Sequence, residues 1–428
     1  MDAKTRPISP VSVGDASALL SLAVQLLYAN GQATRSVIAQ VERVSRSIGY
    51  SVMLFPDWGE LIVRLEAVDE PKSPKIIAIE CAPAGVDMNK VIETVKVLDE
   101  VSARRLDVIG ASAALNEIAR LGPTSTLRFA GLAGAGAAAL AVIFGGALTF
   151  SLALIALSAA AGAVLRRFIA ARGGTALPQV LGAALLSGLV AAGATRFLRG
   201  VDETLLALCP CMVLMPGPHF LNAALDFAHL RIALGQARFV YAALLTLLIG
   251  VGLIAGLSLG QQSLAPPGPA ATTPLAFDVL AAGVAVAAYG TFFSMPWRAL
   301  PLPIAIGMLA HASRWVALHW GANAPLGAFI ACLIVGTLAT PIANRLHFPF
   351  AAFASVVSLI PGAYLFHMTA EVLAVMDVAA YGEVQLLMAT FVDGATAGAI
   401  LVAMALGLSL PKLLLEGLVP TLAGLPKE

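Results

Sequence analysis

Charge is what this chain has least of. Among 428 residues there are 26 Lys or Arg and 25 Asp or Glu, 12% in all, against 59% hydrophobic residues. A soluble globular domain carries about 25% charged residues, so lipid is the expected solvent for most of the chain. The formal charge of +1 points to neither a nucleic-acid partner nor an acidic one. No G-x-x-x-x-G-K-[ST] segment occurs, which argues against an ATP-driven pump built on a P-loop. Histidine is missing from the first 128 residues, and nothing there sets a nucleophile beside a base, so a catalytic N-terminal region has little support. Cysteine is sparse. Cys209-Pro-Cys211 is too tight for a CxxC redox or zinc motif, and Cys81, Cys209, Cys211 and Cys332 are all expected as small buried packing residues. No metal or cofactor is expected.

The charge that exists is unevenly placed. Of the 51 charged residues, 29 lie at or before Arg128. The chain therefore reads as a polar N-terminal domain, residues 1–126, ahead of a membrane body. Met1–Pro10 is polar and no apolar run follows it, so the expectation is a head that stays in the cytoplasm. Ala16–Ile48 has helical periodicity, with Leu19, Leu20, Ala23, Leu26 and Leu27 on one face and an interruption at Gly31. Ser51–Phe55, Glu60–Glu66 and Lys75–Cys81 read as strands, the first two joined by Pro56-Asp57-Trp58-Gly59. Asn89–Leu121 reads as a charged helix leading into the membrane. The head is thus a small α+β domain.

The body reads as an α-helical polytopic membrane protein with about ten transmembrane helices. Their centres fall near Ala137, Leu154, Ser187, Leu214, Leu248, Ala285, Met308, Leu333, Ser358 and Ala397. The uncharged stretch Phe129–Leu165 is too long for one helix and is split at Gly145-Gly146. With both termini inside, the cytoplasmic segments hold Arg166, Arg167, Arg172, Arg231, Arg238, Arg298, Arg345, Lys412 and Lys427, and the outer loops only Arg196, Arg199 and Arg314. That bias fits the positive-inside rule.

The body also resembles itself at an offset of 145 residues. Leu181-Gly182-Ala183 falls on Leu326-Gly327-Ala328, Ala194-Thr195 on Ala339-Thr340, and Pro216-Gly217 on Pro361-Gly362. Two halves, 127–262 and 272–411, of five helices each would be inverted relative to one another, an architecture of secondary transporters whose sites lie at broken helices. Pro216-Gly217-Pro218 and Pro361-Gly362 are such breaks, since proline frees backbone carbonyls that a substrate, water or side chain can satisfy. After each break comes a polar face: His219, Asn222 and Asp226 in one copy, Tyr364, His367 and Glu371 in the other. These are the candidate substrate-binding residues, with Asp226 and Glu371 either proton-coupling groups or helix-end charges at the interface. Asp393 is the lone charge of the span Leu386–Leu410 and is the main candidate for proton coupling, a structural hydrogen bond being the alternative. Arg314 is a candidate partner for a carboxylate, or an outer-loop residue.

These residues resemble a known family. Leu27-Tyr28-Ala29-Asn30-Gly31-Gln32-Ala33-Thr34-Arg35 resembles the helix–Gly–Thr–Arg opening of the threonine/serine exporter family, although Ser36-Val37 stands where that pattern has Val-Glu. Met215-Pro216-Gly217-Pro218-His219-Phe220-Leu221-Asn222-Ala223 and Leu359-Ile360-Pro361-Gly362-Ala363-Tyr364 resemble its two Pro-Gly segments. The resemblance implies a cytoplasmic N-terminal domain before two homologous membrane halves. It also implies export of threonine and serine across a bacterial inner membrane, with the amino acid, protons and the bilayer as partners and a homo-oligomer left open. A dicarboxylate such as succinate is the alternative cargo. A membrane-anchored enzyme is the alternative class.

Overall fold

The computed structural model describes residues 11–69, 74–146, 150–264, 273–346, 351–375 and 384–423. The chain divides into two compact units: Met1–Pro123 with Arg231–Ala237, and Thr124–Leu230 with Arg238–Glu428.

The N-terminal unit opens with α1 (Val13–Ala29), capped by Ser12, whose Oγ accepts from the Asp15 N–H at 3.1 Å. Its leucine face, Leu19, Leu20, Leu26 and Leu27, is buried as the periodicity requires. Gly31, with φ +91°, adopts a left-handed conformation between α1 and α2 (Thr34–Ser47), where a side chain would be strained and would crowd Val86. Strands β1 (Tyr50–Pro56), β2 (Gly59–Ala67) and β3 (Lys75–Cys81) form one antiparallel sheet in that order, with Leu54 opposite Val63 and Val63 opposite Ile77. Alternation places Val52, Leu54, Leu61, Val63 and Leu65 in the core. The single helix expected over 89–121 is instead two, α3 (Met88–Ser102) and α4 (Val108–Ala119). Two local features explain the division. Asp107 caps α4 by accepting from the Gly110 N–H at 2.9 Å, and Arg104 takes a left-handed φ of +58°. Arg105 then pairs with Glu100 across the turn, Nε to Oε2 at 2.7 Å.

The second unit is helical. α5 (Thr126–Ile143) and α6 (Phe150–Ala171) divide the uncharged stretch near Gly145, as expected. They are followed by α7 (Ala176–Phe197), α8 (Glu203–Met212), α9 (Gly217–Ala228) and α10 (Ile232–Leu259). Then come α11 (Leu275–Phe292), α12 (Pro301–His319), α13 (Ala324–Leu346), α14 (Ala351–Val356), a 3-10 turn at Val357–Leu359, α15 (Gly362–Val375) and α16 (Val384–Ala423). Among the described residues six helices are long and apolar enough to cross a membrane: α5, α6, α7, α10, α11 and Val384–Pro411 of α16. A seventh results if α8 and α9, bent by 60°, count as one broken span. This is fewer than the ten expected. α12 is diluted by His311, Arg314 and His319, and α13 and α15 enter only as the shorter apolar helices Ala324–Ala339 and Gly362–Val375.

The element order recurs along the chain. α9 begins at Gly217 and α15 at Gly362, 145 residues on, each after a shorter helix and before a long one. Each half also has a tight glycine contact. Between α7 and α10, a Cβ at Gly188 would collide with Leu253 O, one at Gly256 with Leu185 O, and one at Gly252 would stand 2.6 Å from Leu181 O. Between α13 and α16, a Cβ at Gly407 would stand 2.7 Å from Phe329 O. Backbones approach this closely only where small residues permit it.

Candidate functional site

The two proline-glycine breaks expected from the sequence lie against each other. A Cβ on Gly217 would collide with Cδ1 of Ile360, and one on Gly362 would lie 3.3 Å from Cγ of Met215. Pro216, Gly217, Pro361 and Gly362 are all buried at this junction. The chain arrives there because proline interrupts both helical ladders: Pro210 lies inside α8, Pro216 precedes α9, and Pro361 precedes α15. Side chains take up part of the exposed backbone. The Tyr289 hydroxyl donates to Met212 O at 2.9 Å, Ser187 Oγ to Ala207 O at 3.1 Å, and Ser355 Oγ to Pro303 O at 2.9 Å.

Beyond the first break, His219, Asn222 and Asp226 share one buried face of α9. Asp226 Oδ2 pairs with Arg238 Nε at 3.1 Å, with 2% of Asp226 and none of Arg238 exposed. Arg238, expected in a cytoplasmic segment, lies in the second turn of α10, where its burial is tolerated because a counter-ion offsets its desolvation. The His219 ring meets Tyr241 of α10 edge to face, with centroids 5.1 Å apart.

Beyond the second break the same positions hold different chemistry. His367 is buried on α15, with Tyr364 and Glu371 one turn before and after it. Asp393 of α16 lies within electrostatic reach of both His367 and Glu371, and Thr390 of α16 stands beside Glu371. The structure thus gathers His367, Glu371 and Asp393 into one cluster, which no arginine or lysine enters among the described residues.

A third group was not singled out from the sequence. His311 of α12 meets Asp278 of α11, Nδ1 to Oδ2 at 3.3 Å, and Ser358, Nε2 to Oγ at 3.0 Å. His311 and Asp278 are 1% and 5% exposed. Ser358 belongs to the 3-10 turn just ahead of Pro361, so the pair reaches the second break directly. Arg314, one turn along α12, lies within electrostatic reach of Asp278 and Tyr364. The available signal was Asp278 itself, the lone charge of α11, as Asp393 is of its span. Among the described residues no group of His, Cys, Asp or Glu is arranged to hold a metal ion.

Comparison with known proteins gives two matches. A family model for threonine/serine exporters, ThrE, matches residues 18–260. A second, ThrE_2, described as "Threonine/Serine exporter, ThrE", matches residues 278–414. No solved structure matches the chain.

Proposed function

The chain belongs to the threonine/serine exporter family, and from that premise we propose that it is a secondary active exporter of threonine and serine driven by the proton motive force. The family and the apolar helices make it a multi-pass membrane protein. The observation that carries the proposal is the junction of Pro216-Gly217 with Pro361-Gly362, flanked on one side by the His367, Glu371 and Asp393 cluster.

A zwitterionic amino acid needs donors for its carboxylate and acceptors for its ammonium. A helix start offers orphan N–H groups and a helix end offers orphan carbonyls. Here the starts of α9 and α15 and the end of α8 supply both within one junction. Side chains of His219, Asn222, Tyr364 and His367 complete the recognition of the polar substrate. Asp393, with Glu371 beside it, takes up and releases the proton, because two carboxyl groups sharing a membrane site hold a proton between them more readily than either alone. Asp226 has a fixed counter-ion in Arg238, and in this scheme it shapes the first half and does not exchange a proton. The halves 127–262 and 272–411 are inverted five-helix repeats that rock about the junction. Residues 1–126 form a cytoplasmic domain, and both termini face the cytoplasm of a bacterial inner membrane.

The test is efflux of labelled threonine from preloaded cells, with and without an uncoupler. Expression-dependent efflux that the uncoupler abolishes is the expected result. Efflux of succinate in its place would reassign the cargo to dicarboxylates. Efflux indifferent to the uncoupler would remove the proton from the scheme.

A further inference from the structure

Two groups of titratable side chains flank the second break, and the transport scheme uses only one of them. His367, Glu371 and Asp393 lie beyond Pro361. Ahead of Pro361, His311 of α12 bridges Asp278 of α11 and Ser358 of the 3-10 turn, its ring nitrogens 3.3 Å from Asp278 Oδ2 and 3.0 Å from Ser358 Oγ. The imidazole is thus held between a carboxylate and a hydroxyl on two different elements. Histidine is the side chain whose charge changes most readily near neutral pH.

The charges around His311 suit the coming and going of one proton. Arg314, one turn along α12, lies within electrostatic reach of Asp278. With a neutral imidazole, the charges of Asp278 and Arg314 cancel. A proton on His311 makes the group net positive, favoured by the touching carboxylate and opposed by the guanidinium. Among the described residues, the other elements packed on α11 and α12 bring no further charge to this level. α14 and the 3-10 turn contain no ionisable residue. Arg128 of α5 bonds Thr291, roughly 20 Å along α11 from Asp278 at 1.5 Å per residue. Arg298 of the turn Trp297–Ala299 stands about 20 Å before His311 along the chain's helical rise. In α13, Cys332 faces Gly407 of α16, and Arg345 stands about 27 Å along that helix from Gly327, which packs on Arg314. Tyr289 of α11 is engaged with Met212 O, His319 of α12 is stacked on Trp315, and Tyr364 of α15 is reached through Arg314.

We propose that Asp278 and His311 form a second proton-binding site, and that its protonation shifts the second break through Ser358. A neutral imidazole has one N–H. With Nδ1–H donated to Asp278, Nε2 accepts from the Ser358 hydroxyl. A proton added at Nε2 reverses that bond: Nε2–H donates, Ser358 Oγ accepts, and the hydroxyl hydrogen turns to a carbonyl of the preceding turn. Ser358 is well placed to transmit the change. It stands between Val357 and Ile360, the two residues that face Gly217 across the junction, and the Ile360 N–H closes the turn by donating to Val357 O at 3.2 Å. α12 holds the same segment at a second point that does not titrate, where Ser355 Oγ donates to Pro303 O. In this role His311 is a positioning residue, acting on the break through Ser358. The inference rests on the reading that protons drive the cycle.

The test uses purified full-length protein in detergent, with no cargo and no gradient. Hydrogen exchange of the amides of residues 357–364 is followed from about pH 5 to about pH 9 and corrected for the intrinsic pH dependence of exchange. A step of about tenfold in protection is expected in the native protein. The step is expected to be absent from His311→Gln and from Ser358→Ala, and present in Asp393→Asn. No step in the native protein overturns the proposal, whether or not the variants fold. A step that survives His311→Gln or Ser358→Ala also overturns it, and assigns the response to the cluster of His367, Glu371 and Asp393. The two readings fail separately. Uncoupler-insensitive efflux with the step intact counts against the proton drive alone, and uncoupler-sensitive efflux with no step counts against this site alone.

Discussion

The α9–α10 pair of the first half and the α15–α16 pair of the second occupy corresponding places in the chain, yet their charges are handled in opposite ways. In the first half Asp226 is locked to Arg238, both deeply buried. In the second half Glu371 stands 145 residues on from Asp226, but its neighbours are His367, Thr390 and Asp393, with no arginine beside it among the described residues. Position alone thus does not fix the role of a membrane carboxylate. A carboxylate held by a guanidinium is a fixed element of packing, since removing its charge strands its partner. A carboxylate beside another carboxylate and an imidazole has no such partner to strand, which is what the proposed proton exchange requires.

This contrast can be broken experimentally, and the largest effect is expected in the first half. Asp226→Ala leaves Arg238 buried without its counter-ion and should cost about 3–5 kcal/mol, read as a lower thermal unfolding midpoint in detergent. Unchanged stability would mean that the two halves do not differ in the way described. Next in size, Gly217→Ala forces a Cβ onto Ile360 at the junction of the breaks and should cost about 1–3 kcal/mol. Gly362→Ala, facing Met215 at 3.3 Å, should cost less, and shortening Ile360 to Val should recover part of the Gly217→Ala loss. Asp393→Asn should fold normally yet lower uncoupler-sensitive efflux about tenfold, equivalent to about 1.4 kcal/mol. Full gradient-driven efflux in that variant would remove Asp393 from proton coupling. The smallest effect sharpens the comparison. Asp226→Leu combined with Arg238→Met should fall within about 1 kcal/mol of native stability, because a buried ion pair exchanged for apolar residues is often nearly neutral. If that double variant still exports while Asp393→Asn does not, the division of labour between the halves is established.

Local pattern made much of this architecture legible. The leucine spacing of α1, the alternation of β1 and β2, the split at Gly145 and the paired proline-glycine breaks are all properties of short stretches of sequence. So is the isolation of Asp393 in its span. What escaped depends on contacts between elements. The burial of Arg238 was not legible because α10 starts earlier than its unbroken apolar run suggests, and Asp226, the residue that makes that burial tolerable, lies on another helix. The link from Asp278 through His311 to Ser358 joins three elements, and no spacing rule connects residues so far apart. The turn at 103–107 escaped for a different reason. Helical propensity is high on both sides, and the division depends on the Asp107 cap and the left-handed Arg104.

The glycines between α7 and α10 have a consequence for anyone reading natural variation in this gene. Every single-base change of a glycine codon that alters the residue adds at least one heavy atom, and at Gly188 and Gly256 the added atom meets a backbone carbonyl oxygen that no rotamer change can move. These codons therefore have no conservative neighbour. A saturation scan would show them as intolerant as any cargo-binding residue, although helix packing alone accounts for the intolerance, and such a map would need to be read against the helix contacts before any part of it is assigned to transport.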